Sequence, residues 1–106
     1  MNYVGLADNP YYALAQQQFG PTAGAMLTID LASKEACFQF LNSLKLIHRA
    51  TNLFDSRTLA IHPASTIFGL FPDRQLEQMD VRQTTIRLSV GLEAPEDILE
   101  DIIQAL

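Results

Sequence analysis

The stretch Thr84-Thr85-Ile86-Arg87-Leu88-Ser89-Val90-Gly91-Leu92-Glu93 alternates in the manner of a short strand. Ile86, Leu88 and Val90 point to one face, and Thr85, Arg87 and Ser89 to the other. An arginine in mid-strand needs a partner, because a charge withdrawn from water without one is expensive. The planar guanidinium matches a carboxylate through two parallel hydrogen bonds. The segment therefore reads as a rigid carboxylate receptor centred on Arg87. The alternative is an arginine on a solvated sheet face, paired with a neighbouring Asp or Glu.

Working outward, Pro95 opens a last helix with Glu96 and Asp97 in its first turn, where acidic charge suits the helix dipole. The spacing buries Ile98, Leu99, Ile102, Ile103 and Leu106, and leaves Glu96, Asp97, Glu100 and Asp101 as a solvated face. Upstream, Gly24 to Ala32 reads as a strand. Ser33 caps a helix running to about His48, with Cys37, Phe40, Leu41, Leu44 and Ile47 as its apolar stripe. Thr51 to Leu53 and Arg57 to His62 read as two short strands, the second stopped by Pro63. Ala64 to Arg74 reads as a loop packed on something, and Gln75 to Met79 as a helical turn. Near the start, Asn9 and Pro10 introduce a helical run from Tyr11 to Gln18. The pattern predicts one α+β domain over 1–106, with a small, mostly antiparallel sheet and helices packed on one face.

The chain has 106 residues, is 48% hydrophobic and 18% charged, and carries a net charge of −5. That composition is globular, and it argues against nucleic-acid binding, which needs clustered Lys and Arg. No apolar run is long enough to span a bilayer, and one cysteine, Cys37, cannot form an internal disulfide. A cytoplasmic setting is the expectation. The glycines are scattered and make no phosphate loop, and His48 and His62 stand apart and make no metal cluster. Cys37 is expected in the core, His48 as a helix C-terminal cap and His62 as structural. A triad of Ser65, His62 and Asp55 can be assembled on paper, but such triples arise by chance in most chains.

Read together, these segments resemble a known family. Arg87-Leu88-Ser89-Val90-Gly91-Leu92-Glu93, then Glu96-Asp97-Ile98-Leu99 and the ending Ile103-Gln104-Ala105-Leu106, look like the closing signature of the Cys/Met-metabolism enzymes of transsulfuration. Those enzymes depend on pyridoxal phosphate. Thr58-Leu59-Ala60-Ile61-His62-Pro63-Ala64-Ser65-Thr66 resembles the motif before it. Tyr3-Val4-Gly5-Leu6, Asn9-Pro10, Phe19-Gly20 and Gly24-Ala25-Met26-Leu27 resemble the run that opens the C-terminal domain of these fold-type-I enzymes. Thr51-Asn52, Asp55 and the Thr58–Pro63 run look most like the O-acetylhomoserine sulfhydrylase branch. Cystathionine γ-synthase and methionine γ-lyase usually have Ser-Leu-Gly-Gly where this chain has Asn52-Leu53-Phe54-Asp55.

The resemblance implies that Arg87 binds the α-carboxylate of an amino-acid substrate and that Asn52 lines the same pocket. It implies pyridoxal phosphate as electron sink in the full enzyme, with the protein positioning a substrate such as O-acetylhomoserine. The Schiff-base lysine of the family belongs to a large N-terminal domain. Here the only lysines are Lys34 and Lys45, in no such motif. The expectation is a C-terminal substrate-binding domain that neither holds the cofactor tightly nor turns over substrate alone, and that self-associates or meets a cofactor-binding partner domain. The competing expectation is a free-standing, non-catalytic interaction or amino-acid-binding module of the same descent. A ferredoxin-like amino-acid sensor fits the element order but leaves the motif run unexplained. Two departures bear on activity. Ile67-Phe68 replaces the usual Thr-His after Thr66, and Phe54 stands where the family usually has glycine.

Overall fold

The computed structural model describes all residues from Met1 to Leu106. Four helices and four strands follow in the order α1 (Tyr12–Phe19), β1 (Met26–Asp30), α2 (Lys34–Ser43), β2 (His48–Arg49), β3 (Leu59–Ile61), α3 (Asp73–Gln78), β4 (Thr85–Ser89) and α4 (Pro95–Ala105). A single 3-10 turn, Pro63–Ser65, follows β3.

The arginine strand is central. The sheet order is β1-β4-β3-β2, with β4 antiparallel to both β1 and β3, and β2 parallel to β3. The sheet is thus mixed, although mostly antiparallel as expected. Asn2 extends the β1 edge, exchanging backbone hydrogen bonds with Thr28 at 2.8 and 3.1 Å.

The alternation in β4 sorts its side chains as the sequence predicts. Ile86 and Leu88 are fully buried, opposite Ile29 and Leu27 on β1, and Ala60 of β3 joins them. Over this face lie α2 and α4, which contribute Cys37, Phe40, Leu41 and Ile98 to one core. Cys37 is a core thiol; burial first, and then the charge of Asp30, push its pKa up. Thr85, Arg87 and Ser89 share the opposite face with Met26, Thr28, Leu59 and Ile61.

Ser33 caps α2 by accepting from the Ala36 amide at 3.0 Å, as predicted. The helix, however, ends at Ser43 and does not reach His48. Leu44 turns to extended backbone, and the amides of Lys45, Leu46 and Ile47 donate instead to the Asp101 carboxylate at 2.8, 2.9 and 2.8 Å. These amides would otherwise propagate the helix. Asp101 therefore does not belong to a solvated face of α4: it is 5% exposed. His48 is no helix cap, since it starts β2 and pairs with Leu59. The strand expected at Thr51 to Leu53 lies a few residues earlier, because β2 pairs only where it runs beside β3, and Thr51 to Leu53 are loop.

Two apolar expectations are corrected as well. Of the apolar residues expected to be buried in α4, Ile98 is buried and Ile102 half-buried, while Leu99, Ile103 and Leu106 face solvent. The segment after Ser65 does not pack throughout, for Leu70 is 99% exposed; Phe68 is half-buried and packs against Phe71 with ring centroids 5.5 Å apart. In the N-terminal run, Asn9 accepts from the Tyr11 amide at 2.9 Å, so it orders the turn before α1 and not the helix itself.

Candidate functional site

Arg87 leaves the sheet on the face that α2 and α4 do not cover. Its side chain borders a cavity of about 250 Å³ between Asn2, Tyr3 and Val4 of the N-terminal segment and Met26 and Thr28 of β1. One guanidinium nitrogen, Nη2, donates to the Thr51 carbonyl at 3.0 Å. Another, Nε, is buried and has no partner, and the Ser89 hydroxyl two residues on is likewise buried without a partner. No carboxylate lies within ion-pair distance of Arg87. The ion pairs of the chain are Arg57 with Asp55, and Arg82 with Asp30 and Asp80. The alternative of an arginine neutralised by a nearby acid therefore fails. Burial lowers the Arg87 pKa, which is the signature of a cation held back from water. A half-buried guanidinium with open hydrogen-bonding capacity in an acidic protein is suited to take an anion from outside the chain.

Asn52 follows Thr51 and is brought near Arg87 by the Thr51 contact, but it does not line the Arg87 cavity. Its amide lies against Asp55. The Asp55 carboxylate is held below its ordinary range chiefly by the Arg57 amide, with smaller help from Asn52, the Arg57 charge and Ser56. Asp55 thus organises the loop between β2 and β3. In that loop Phe54 adopts a φ of +54° and is 73% exposed.

Behind the loop a second carboxylate fixes the link between β3 and β4. Glu93 accepts from the Thr58 amide and, at 2.9 Å, from the Thr58 hydroxyl. The same hydroxyl accepts from the Gly91 amide at 2.9 Å. Desolvation would raise the Glu93 pKa, but these hydrogen bonds outweigh it and hold the group ionised. Gly91 and Glu93 of the Ser89-Val90-Gly91-Leu92-Glu93 run are thereby tied to the start of β3, which positions β4 and Arg87 against Thr51.

His62 is buried and bonded at both ring nitrogens: Nε2 faces the Gln83 carbonyl and Nδ1 the Ser65 hydroxyl, each at 2.7 Å. A carbonyl only accepts, so Nε2 carries the proton and Nδ1 accepts from Ser65. Ser65 and His62 do meet. Asp55 is committed to Arg57, however, and no carboxylate reaches His62, so the paper triad is not built.

The profile of the family described as Cys/Met metabolism PLP-dependent enzyme matches residues 1–106. The chain is 42% identical over 107 residues to O-acetyl-L-homoserine sulfhydrylase 1 of Thermus thermophilus, covering 100% of this chain and 25% of that protein. It is 38% identical to L-methionine gamma-lyase of Pseudomonas putida, over 100% of this chain and 27% of the relative. Among solved structures, the O-acetylhomoserine sulfhydrylase of Wolinella succinogenes superposes with a TM-score of 0.79 at 43% identity, over 99% of this chain and 26% of that one. A putative O-acetylhomoserine (thiol)-lyase of Campylobacter jejuni, solved with N'-pyridoxyl-lysine-5'-monophosphate, gives a TM-score of 0.88 at 33% identity, over 98% and 25%. The fold and these matches define the class, that of the fold-type-I pyridoxal-phosphate enzymes. The chain belongs to the Cys/Met metabolism family of PLP-dependent enzymes. It spans about a quarter of the length of the relatives it matches.

Pyridoxal phosphate requires an amine for its aldehyde and a nest of donors for its phosphate. Neither lysine in this chain fits. Lys34 lies at the start of α2 with its Nζ 5.7 Å from the Phe38 ring centre, and Lys45 follows α2 on the helix-covered side. Neither borders the Arg87 cavity. The residues present do not make a pyridoxal phosphate site by themselves.

Proposed function

We propose that this chain is the substrate-carboxylate-binding domain of an O-acetylhomoserine sulfhydrylase-like enzyme of sulfur amino-acid metabolism, with Arg87 as the anchor. The carrying observation is the state of Arg87. It is central in the sheet, half-buried and without an acidic partner, and it is held by a single carbonyl that leaves donors unspent. In this reading the guanidinium takes the α-carboxylate of an amino acid such as O-acetylhomoserine. Thr51 fixes its direction, and Asn52 swings from Asp55 to add a donor. The bond-breaking chemistry is the cofactor's, bound by a separate domain that meets the Arg87 face of the sheet. This chain contributes binding and orientation and no catalysis of its own. A cytoplasmic oligomer belongs to the same reading.

The test is a chimaera in which this chain replaces the matching quarter of the Thermus thermophilus relative. With O-acetylhomoserine as substrate, Arg87→Ala should lower kcat/KM by about 10- to 150-fold, the loss of about 1.5–3 kcal/mol for a charged hydrogen-bonded contact. Asn52→Ala should cost less. An active chimaera indifferent to Arg87→Ala would overturn the reading.

Phe54, exposed and at positive φ in the loop beside the anchor, favours a second reading. A domain of this descent that has given up catalysis can carry a bulky residue there. A folded chimaera that binds cofactor but has no activity, recovering on Phe54→Gly, would place the departure in the substrate pocket. One that does not recover would favour the non-catalytic module.

A further inference from the structure

A second cavity, of about 290 Å³, lies at the β2 edge of the sheet, in the angle between α2, β2 and the 3-10 turn. Its volume is at the small end of ligand sites, which begin at about 300 Å³. Its wall is apolar where α2 presents Phe38 and Leu41, and the ring of His62 meets Phe38 edge-on with centroids 5.1 Å apart. Both His62 nitrogens are spent on Ser65 and Gln83, so the imidazole serves here as an aromatic surface and not as a donor.

Arg49 stands at this cavity, and Lys34 beside its Phe38 wall, without acids. Arg49, on the sheet edge, lines it, and its Nη1 donates to the Asn42 side-chain oxygen at 2.8 Å. That bond orients the guanidinium and leaves its remaining N–H groups, and the Asn42 amide nitrogen, free to donate. Lys34 sits over the Phe38 ring at 5.7 Å from its centre. Neither Arg49 nor Lys34 forms an ion pair, in a chain whose acidic groups outnumber its basic ones 12 to 7. A planar guanidinium fork held at the rim of an aromatic-walled cavity matches a carboxylate with a flat or aliphatic body. The Thr66 hydroxyl, which donates to the His62 carbonyl at 2.8 Å, keeps its lone pairs for a donor on the ligand.

We infer that this cavity is a second small-molecule site, separate from the Arg87 anchor, for a carboxylate with an apolar body. Arg49 binds the charge, and Phe38, Leu41 and His62 enclose the body. The site touches the anchor at one point. Thr51, whose carbonyl holds Arg87, also lines this cavity, so occupancy is felt by the residue that orients the guanidinium.

The probe is 3-phenylpropanoate, titrated into the isotopically labelled 106-residue chain and followed by backbone amide chemical shifts. The expected result is a saturable shift centred on Arg49, Ala50, Thr51, His62 and Thr66. Arg49→Gln should weaken the affinity at least tenfold, and the uncharged alcohol 3-phenylpropanol should bind at least tenfold more weakly than the acid. Arg49 is exposed, so the variant keeps the fold, which its dispersed amide spectrum reports. Lys34→Gln supplies a second variant, with a smaller loss. Shifts centred on Arg87 and Thr28, equal binding of acid and alcohol, or no saturable shift would each overturn the inference.

Discussion

Gly91 sits where an added Cβ would overlap the backbone of Ser56, Arg57 and Thr58. Nothing in that wall is a flexible side-chain end, so Gly91→Ala must push two strand connections apart. We expect a loss of about 3 kcal/mol, the upper range for overpacking, read as a lower urea midpoint at unchanged m-value. Phe54 presents the reverse case. Its φ of +54° costs about 1–2 kcal/mol for an L-residue with a Cβ, and its ring is largely in solvent, so little packing offsets the strain. Phe54→Gly should therefore raise stability by about 0.5–1 kcal/mol, after the greater unfolded-state freedom of glycine is deducted. A loss of stability would show that the ring packs on something.

At the level of elements, Asp101 is the joint between α4 and the turn after α2. Its carboxylate accepts from the amides of Lys45, Leu46 and Ile47, and Gln104 supports it at 3.0 Å while also reaching the Ser43 carbonyl at 2.7 Å. Asp101→Ala strands these donors, the Ile47 amide in the core among them, and about 3 kcal/mol should be lost. Desolvation would raise the Asp101 pKa, but the amide bonds outweigh it and lower the group below its ordinary value of 3.8. A depressed folded value means stability is fully present above the unfolded pKa and lost as pH falls through the folded one. Glu93, lowered from 4.5, acts in the same direction. The melting temperature should hold above about pH 5 and fall below the ordinary carboxylate range, and Asp101→Asn should flatten that fall. This joint explains what could be read beforehand and what could not. Ile86, Leu88 and Arg87 alternate within one strand, and Pro95 with Glu96 and Asp97 marks a helix start, so β4 and α4 were legible locally. The end of α2 was not, because the residue that stops it lies 54 or more positions away. A two-residue strand such as β2 leaves no periodicity to read, and it exists only because β3 runs beside it. Arg87 stood out as a candidate anion receptor because it is the one charged residue of the alternating strand Thr85–Ser89. The Arg49 cavity was not, because its walls come from four separate elements.

For the molecule as a whole, the apolar residues left outside the core gather on identifiable surfaces. Leu99, Ile103 and Leu106 face out from α4, and Tyr11, Leu14 and Phe19 from the region of α1. Exposed apolar surface of this kind marks interaction faces. Since the chain spans about a quarter of its relatives, these faces are expected to meet either further protein or a second copy. Light scattering should give a dimer or larger for the 106-residue chain, and a monomer at high concentration would contradict that. The contact of Arg87 with an α-carboxylate is tested most directly by a thermodynamic cycle in the active chimaera. Arg87 and Arg87→Ala enzymes are each assayed with O-acetylhomoserine and with the same compound lacking its α-carboxylate. A coupling of about 1.5–3 kcal/mol is expected, with Arg87→Ala harming only the carboxylate-bearing substrate. Equal losses on both substrates, and hence no coupling, would show that Arg87 holds the sheet together and does not bind substrate.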